Sequence, residues 1–258
     1  MVTMDFRHYT NLVLHKAWAD FRAEAERTYL GVIWWVLDPL INLAVYYLVF
    51  GVIFDRGTPD FVPFLITGLV AWRFFEATVV RASNSILQNV AMVRQVAFRK
   101  VVFPLIAVAT CLLEYLFSLA LLLVILLLYG YTPSAAWLAF PLLLMLEVVM
   151  VLAFSLPLAA MVPFVPDMAK LVTQALRIMF YMSGIFFNVD TLGPRARMIL
   201  GLNPMVHLVK EMRAVLMHHQ WPELSVLGLV LLVSLAAAAA GWALISRFDP
   251  LFAKRIAR

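Results

Sequence analysis

Charged side chains are scarce in this sequence. Asp, Glu, Lys and Arg make up 14% of its 258 residues, whereas a soluble domain carries about a quarter. Hydrophobic residues make up 64%. This composition excludes an ordinary soluble enzyme and predicts that the surrounding solvent is a lipid bilayer. A β-barrel is excluded as well, because the apolar runs do not alternate with a period of two over segments of about ten residues.

Cysteine pairs and catalytic motifs are also missing. The single cysteine, Cys111, cannot form an intrachain disulfide, and we expect it to pack as a small hydrophobe. No glycine belongs to a G-x-x-x-x-G-K-[ST] loop, so the chain has no phosphate-binding loop of its own. No Ser-His-Asp set or H-E-x-x-H motif indicates catalysis, and the adjacent His218 and His219 lack a third ligand at metal-binding spacing. We therefore expect no enzymatic activity, no metal and no cofactor in this chain.

A cleavable signal peptide is not expected, because residues 1–27 carry charges where a signal would have an apolar core. The first span should insert itself. Lys and Arg total 20 against 15 Asp and Glu, and in a soluble protein this net charge of +5 would suggest nucleic acid. Here most of the basic residues fall on one side of the predicted spans. Topology therefore explains the surplus, and no nucleic-acid partner is expected.

The predicted fold class is an all-α polytopic membrane protein. A hydrocarbon core of about 30 Å needs about 20 helical residues, and we interpret six apolar runs as spans. They cover residues 31–54, 61–89, 101–129, 135–162, 168–187 and 224–246. The positive-inside rule then places both termini in the cytoplasm.

Residues 5–28 predict an amphipathic helix. Phe6, Tyr9, Val13, Ala17 and Phe21 recur at spacings of three and four, with charges of both signs opposite them. We expect this helix to lie along the cytoplasmic interface. A solvated leader that packs on nothing is the alternative.

The pair Asp38-Pro39 interrupts the first span. Proline frees a backbone carbonyl and kinks a membrane helix, and a neighbouring aspartate should face protein or water rather than lipid. Two interpretations stay open. The pair is either a structural kink with a snorkelling carboxylate or a part of the conduction path.

Other charges also lie within the predicted spans. Arg73 and Glu76 are three residues apart, so one helical face holds both and we expect them to pair. Glu114, Glu147 and Arg177 either bind one another between helices or line an aqueous path. Aromatic residues are abundant at 13%, and a subset that faces a channel would stack on sugar rings, while others form interfacial belts and core.

Two segments between spans have helical signals of their own. Residues 91–100 carry three positive charges and apolar residues at spacings of three and four, which favours a short amphipathic helix on the cytoplasmic face. An ordinary basic loop is the alternative. In residues 190–222, Gly193-Pro194 and Asn203-Pro204 predict two short helices that return to the outer face without crossing.

Five stretches occur in order over nearly the whole chain, and together they resemble the ABC-2 type membrane subunits that export bacterial polysaccharides. They read RTYLGVIWWVLDPL, FVPFLITGLVAWRFF, VRQVAFRKVVFPL, PDMAKLVTQALRIMFYMSGIFF and NPMVHLVKEMRAVLM. The sequence is most similar to the capsular polysaccharide exporters of Gram-negative bacteria, with O-antigen exporters close behind. Arg73, Glu76 and Arg81 depart from the family pattern, in which more neutral residues are expected in the second span.

The resemblance implies a permease in the bacterial inner membrane. Two copies of the chain would sit side by side in the membrane lipid, docked to two copies of a cytoplasmic ATPase that binds ATP and Mg²⁺. A lipid-linked polysaccharide would pass through a channel at the dimer centre, toward periplasmic co-polymerase and outer-membrane export proteins.

Three groups of site residues go with this expectation. Coupling to the ATPase is expected in the helix of residues 91–100, at Val93, Arg94, Gln95, Val96, Phe98, Arg99 and Lys100. Contacts with the channel or the glycan are expected at Trp34, Trp35, Asp38, Trp72, Arg73, Phe75, Glu76, Phe180 and Tyr181. The periplasmic gate helices are expected in residues 190–222, with Asn203, Pro204, His207 and Arg213.

Other functions would share this topology. An ABC-2 permease for a small hydrophobic drug or peptide has the same predicted spans. An ion-coupled secondary transporter would use Asp38, Glu114 and Glu147 as proton carriers. An integral-membrane glycosyltransferase is disfavoured, because the sequence has no acidic cluster in a sizeable loop outside the membrane.

Overall fold

The computed structural model describes residues 6–54, 60–90, 92 and 99–256, and all the regular secondary structure in them is helical. This confirms the all-α fold class. The helices are α1 Phe6–Glu26, α2 Trp34–Tyr46, α3 Phe61–Gln88, α4 Val102–Leu128, α5 Phe140–Met161, α6 Asp167–Tyr181, α7 Pro194–Leu200, α8 Pro204–Leu216 and α9 Leu224–Ile256. Helix α2 follows a 3-10 turn at Gly31–Ile33 and continues as a π-helix over Tyr47–Ile53.

Five helical segments of the described residues are long and apolar enough to cross a membrane. They are Gly31–Ile53, Phe61–Gln88, Val102–Leu128, Ala135–Met161 and Leu224–Phe252. The predicted span 168–187 is different, because its helix α6 has 15 residues and measures about 22 Å, less than a core of about 30 Å. The count of six spans stays a prediction.

Helix α6 ends early because of a glycine. Gly184 adopts φ +67°, a conformation that side chains rarely tolerate, and a Cβ there would lie 2.8 Å from Val189. The chain therefore turns after Tyr181, and the apolar residues that follow it pack as a loop instead of a last helical turn.

Helix α3 forms the centre of the bundle. It contacts α2, α4, α5, α6 and α8, and residues on all its faces, such as Ile66, Val70 and Phe75, are fully buried. The first half of α3 is apolar on every side, so neighbouring helices can pack all around it. Helix α9 packs mainly on α5, where Gly241 allows it to approach Pro157 closely, since a Cβ at Gly241 would lie 2.5 Å from Pro157 Cδ.

Helix α1 packs along the first half of α4. Ala17 and Phe21 are buried there, and Val13 and Tyr9 lie half-buried beside Val102. This contact favours the interfacial helix over a leader that packs on nothing, while its depth in the membrane stays a prediction.

The break at Pro39 is compensated by a neighbouring span. Proline has no N–H, so the carbonyl of Trp35 one turn earlier loses its helical hydrogen bond. The hydroxyl of Ser118 on α4 donates to that carbonyl at 3.0 Å. An unsatisfied carbonyl inside a bilayer costs several kcal/mol. This one bond therefore holds α2 against α4 at the proline.

A double-mutant cycle tests this compensation. Ser118→Ala should lower stability by about 1–3 kcal/mol, because the Trp35 carbonyl then has no donor. In a Pro39→Ala background the same change should cost much less, since the restored N–H of residue 39 satisfies the carbonyl. Thermal unfolding of the purified protein in detergent measures both effects. An equal loss in the two backgrounds would contradict the account.

Candidate functional site

An ion pair joins the first two spans next to the proline break. Arg73 Nη2 on α3 donates to Asp38 Oδ2 on α2. The expected pairing of Arg73 with Glu76 is therefore wrong. Although the two share one helical face, Arg73 reaches across to the neighbouring helix.

Glu76 is held by a different partner. The indole Nε1 of Trp72, four residues earlier on α3, donates to Glu76 Oε2 at 2.9 Å. This bond fixes a carboxylate and a large aromatic side chain in one orientation on the same face of the helix. Glu76 also lines a cavity on that side of α3.

A cavity of about 240 Å³ lies between α2, α3 and α6 and contains these groups. It is lined by Pro39, Asn42, Tyr46, Leu69, Trp72, Arg73, Glu76, Arg177, Phe180 and Tyr181. Two cations, one carboxylate, an amide and two phenolic hydroxyls thus share a small space with aromatic rings. Pockets of this kind bind ligands through apolar contact and fix their orientation through a few polar groups.

The cavity wall is part of a continuous cluster of aromatic rings. Phe180 lies at its centre, with ring centroids 5.6 Å from Trp72, 5.7 Å from Tyr46 and 5.2 Å from Tyr181. Phe186, in the turn after α6, packs against Tyr46 at 4.8 Å and Phe180 at 5.2 Å. Because each ring packs on the next, the walls of the cavity are stiff and their orientations are interdependent.

The structure places the nine predicted channel residues in four different surroundings. Trp72, Arg73, Glu76, Phe180 and Tyr181 line the cavity. Trp35 and Asp38 line a smaller cavity of about 60 Å³ on the other side of Arg73, while Trp34 is exposed near the start of the first span. Phe75 is fully buried, packing edge-on against Phe154 at 5.2 Å, so it belongs to the core.

Three cavity residues with polar side chains were missing from the predicted channel set, namely Asn42, Tyr46 and Arg177. A signal for the first two was present, because positions 38, 42 and 46 follow one another at spacings of four and lie on one helical face. Arg177 likewise shares a face with Phe180 and Tyr181. Following the helical face from Asp38 would have found Asn42 and Tyr46, and following it back from Phe180 and Tyr181 would have found Arg177.

Glu114 and Glu147 each have a partner in the described part of the chain, and that partner is neither the other glutamate nor Arg177. Arg81 Nη1 donates to Glu114 Oε1 on α4 at 2.7 Å, and its Nη2 donates to Glu24 on α1. Glu147 accepts a hydrogen bond from the hydroxyl of Tyr115 at 2.9 Å. These contacts join helices. Arg177 lines the cavity between α2, α3 and α6, and Glu114 lines the smaller cavity beside Asp38.

The predicted gate residues hold the segment of residues 190–222 to the turn after α6. Asn203 caps α8 by accepting from the N–H of Met205 at 3.0 Å, and its amide donates to Ser183 Oγ at 3.1 Å. Pro204 occupies the first turn of α8, where its missing N–H has no cost. His207 Nε2 lies 2.8 Å from the carbonyl oxygen of Gly201, which closes the turn between α7 and α8.

Arg213 on α8 binds the turn after α6 and the start of α3, and we call this set of contacts the clamp. Arg213 is buried, its Nη1 donates to the Gly184 carbonyl at 2.8 Å, and its Nη2 donates to the carbonyls of Ile185 at 3.0 Å and Phe64 at 2.9 Å. Its Cζ lies 3.3 Å from the centroid of the Phe64 ring. Burial lowers the pKa of Arg213 to about 9, so the side chain is still a cation at neutral pH.

The predicted coupling residues fall mostly outside the described part of the chain, which leaves out Val93, Arg94, Gln95, Val96 and Phe98. Arg99 is exposed, whereas Lys100 is buried with its backbone N–H donating to Asp249 Oδ1 on α9 at 3.0 Å. The end of this segment is thus attached to the last helix.

The comparisons with known proteins agree with this architecture. The model of the ABC-2 type transporter family matches residues 12–217. The chain belongs to this family. The match confirms the resemblance drawn from the five sequence stretches, and it covers α2, α3, α6 and α8, which build the cavity and the clamp.

Three relatives are similar over most of their length. An O-antigen export system permease protein RfbA from Myxococcus xanthus is 27% identical over 243 residues, which cover 93% of this chain and 92% of the relative. A protein of the same name from Klebsiella pneumoniae is 26% identical over 200 residues, 77% of each chain. The polysialic acid transport protein KpsM of Escherichia coli is 25% identical over 204 residues, 77% of this chain and 78% of the relative.

Replacing Arg213 tests the clamp of this ABC-2 chain. Arg213→Met should destabilise the protein by about 3 kcal/mol, because the carbonyls of Phe64, Gly184 and Ile185 lose their shared donor. Arg213→Lys should cost less, since an ammonium group keeps three donors but cannot match the planar fork. Thermal unfolding in detergent measures the loss.

Arg195→Met on α7 is the matched control, because Arg195 is exposed. It should leave the unfolding temperature nearly unchanged. Equal unfolding temperatures for the Arg213 and Arg195 variants would show that the clamp has no structural role.

Proposed function

We propose that this chain is the membrane-spanning permease subunit of an ATP-driven exporter that moves a lipid-linked cell-surface polysaccharide across the inner membrane. The observation that carries the proposal is the cavity between α2, α3 and α6, in which aromatic rings and charged groups are mixed. The family match and the names of the relatives support the same class of cargo.

The mixed aromatic and polar lining of this cavity matches the two kinds of surface on a sugar ring. Its C–H faces are apolar and stack on aromatic rings such as Trp72, Phe180 and Tyr181, while its rim of hydroxyls needs donors and acceptors. Glu76, held by the Trp72 indole, accepts hydrogen bonds at its remaining oxygen, and Arg177 donates them. A fatty or aromatic drug would leave these polar groups unpaired, which disfavours the drug-exporter alternative.

The energy for export comes from a partner in this proposal. The sequence has no phosphate-binding loop, so two copies of a cytoplasmic ATPase bind ATP and Mg²⁺ and act on the segment of residues 91–100 and on α1. Two copies of the chain form the channel, both termini face the cytoplasm, and periplasmic and outer-membrane proteins receive the polysaccharide. The attachment of Lys100 to Asp249 supports a route for movement from this segment into α9.

Two kinds of polysaccharide are candidates for the cargo. The motifs of the sequence resemble capsular polysaccharide exporters most, and the similarity to a polysialic acid transport protein supports that choice. O-antigen export is the second candidate, and it is favoured by the Myxococcus xanthus relative that covers 93% of this chain.

Cavity variants in the native host test the cargo and the site together. Deleting the gene should abolish one surface polysaccharide, and the loss of capsule or of O-antigen identifies which.

In complementation, Tyr181→Leu should reduce the surface polysaccharide by about tenfold, since one stacking contact of about 1–1.5 kcal/mol and a hydroxyl are lost at a site used repeatedly. Staining and gel analysis of surface polysaccharide measure both.

Tyr129→Leu is the matched control, because Tyr129 is exposed and lies outside the cavity lining. It should restore wild-type levels. Unchanged surface polysaccharide in the deletion strain, or equal complementation by the two variants, would contradict the proposal.

Charge reversal tests the coupling segment separately. Arg94→Glu with Arg99→Glu should abolish export while the protein still inserts in the membrane, because the segment then repels its ATPase partner. Co-purification of an ATPase subunit with wild-type protein, but not with the double variant, is the expected result. Export that continues with both charges reversed, or uptake in vesicles driven by a proton gradient without ATP, would rule out this role.

A further inference from the structure

A second cavity lies among helices that do not line the cavity between α2, α3 and α6, and its lining is almost entirely apolar. It is an apolar groove of about 460 Å³ between α1, the first half of α4, α5 and α9. Aliphatic side chains such as Val13, Leu105 and Val108 form most of its lining, and Trp242 of α9 closes one side. It shares no lining residue with the cavity between α2, α3 and α6.

A polar cup of about 200 Å³ adjoins this groove. Arg99 and Val101 line both cavities, and the cup adds Lys100, Ser246 and Asp249. The apolar and polar spaces therefore meet at Arg99. A ligand that fits both is elongated, apolar along most of its length and polar at one end.

The charge of the cup favours an anionic end group. It contains two basic side chains and one carboxylate, and that carboxylate already accepts the backbone N–H of Lys100 at 3.0 Å. Arg99 is exposed, and no described residue forms an ion pair with it. An exposed cation at the mouth of an apolar groove suits a phosphate.

The position of the two cavities fits a lipid of one membrane leaflet. They lie at the end of the bundle where α1 packs on α4 and where α3, α5 and α9 end. Under the predicted orientation this end meets the cytoplasmic leaflet, whose lipids are partly anionic, and basic pockets between spans there bind lipid headgroups. The groove volume lies within the range of about 300–1,000 Å³ for ligand sites.

We infer that the groove and the cup together bind one anionic phospholipid of the bilayer, with an acyl chain in the groove and the headgroup phosphate at Arg99. This lipid fills the space between α1 and the spans and contacts the end of the segment 91–100. The lipid carrier of the polysaccharide is disfavoured as the occupant, because the groove is separate from the cavity that takes the sugar. The inference rests on the two cavities and the predicted orientation, and the proposed function enters only where the lipid carrier is disfavoured.

Lipid retention by the purified full-length protein tests this inference. The protein is extracted in mild detergent and mixed with equal amounts of phosphatidylglycerol and phosphatidylethanolamine, and native mass spectrometry counts bound lipids. The wild type should retain phosphatidylglycerol preferentially. Arg99→Gln should reduce that preference about fivefold, the effect of one basic side chain on an anionic lipid, whereas Arg195→Gln at an exposed site on α7 should not change it.

A groove-filling variant tests the acyl chain. Ala109→Trp on α4 should remove retention of both lipids, because Ala109 lines the groove, whereas Ala120→Trp at an exposed position of the same helix should not. Equal preference in the wild type and Arg99→Gln, retention of a polyprenyl-linked glycan instead of phospholipid, or no bound lipid in the wild type would each overturn the inference. These readouts are independent of export, so a failed cargo proposal leaves them intact.

Discussion

A proline and an aspartate in the middle of a membrane helix are tolerable only if every polar group they create is satisfied. Here Ser118 donates to the carbonyl that Pro39 frees, the side chain of Asn42 donates to the carbonyl of Asp38, and Arg73 neutralises the carboxylate. The bond from Asn42 lies within α2, whereas Ser118 attaches α2 to α4 and Arg73 attaches it to α3. The break thus sets where α2 lies relative to α3 and α4, and the cavity follows from that position.

The cavity and the outer clamp depend on the same central helix. Helix α3 carries Trp72 and Glu76 on one face, and near its start the carbonyl of Phe64 binds Arg213. Arg213 also holds the turn after α6, which positions Phe180 and Phe186 against Tyr46. A movement of α8 is therefore mechanically connected to the aromatic wall. This connection is the kind of element through which a gate and a binding site influence one another.

Hydropathy was sufficient to predict most of the bundle. Helix α3 was expected at 61–89 and extends over Phe61–Gln88, because a run of apolar residues of that length has few other stable arrangements in lipid. The last apolar run before the outer segment was harder. Its helix ends at Tyr181, since Gly184 turns the chain and Arg213 holds the turn, and a residue so distant in sequence gives no local signal.

Ion pairs were predicted least well, for a physical reason. Arg73 was matched with the carboxylate nearest in sequence, but its partner Asp38 is on another helix, and Arg81 likewise binds Glu24 of α1. Which acid a basic side chain meets depends on how the helices pack. The aromatic members of the site, such as Phe180 and Tyr181, were predicted from residue type, because aromatic rings stack on sugar rings.

The claim that the polysaccharide enters the cavity between α2, α3 and α6 is tested most directly by thiol accessibility at Asn42. Asn42→Cys, with Cys111 replaced by alanine, is labelled with a membrane-impermeant maleimide while the permease and its ATPase are in the membrane. The account predicts labelling that slows strongly when ATP depletion traps the lipid-linked polysaccharide in the permease, with no change at Arg195→Cys, an exposed position on α7 outside the spans. Labelling of Asn42→Cys at the same rate with and without trapped polysaccharide would contradict it.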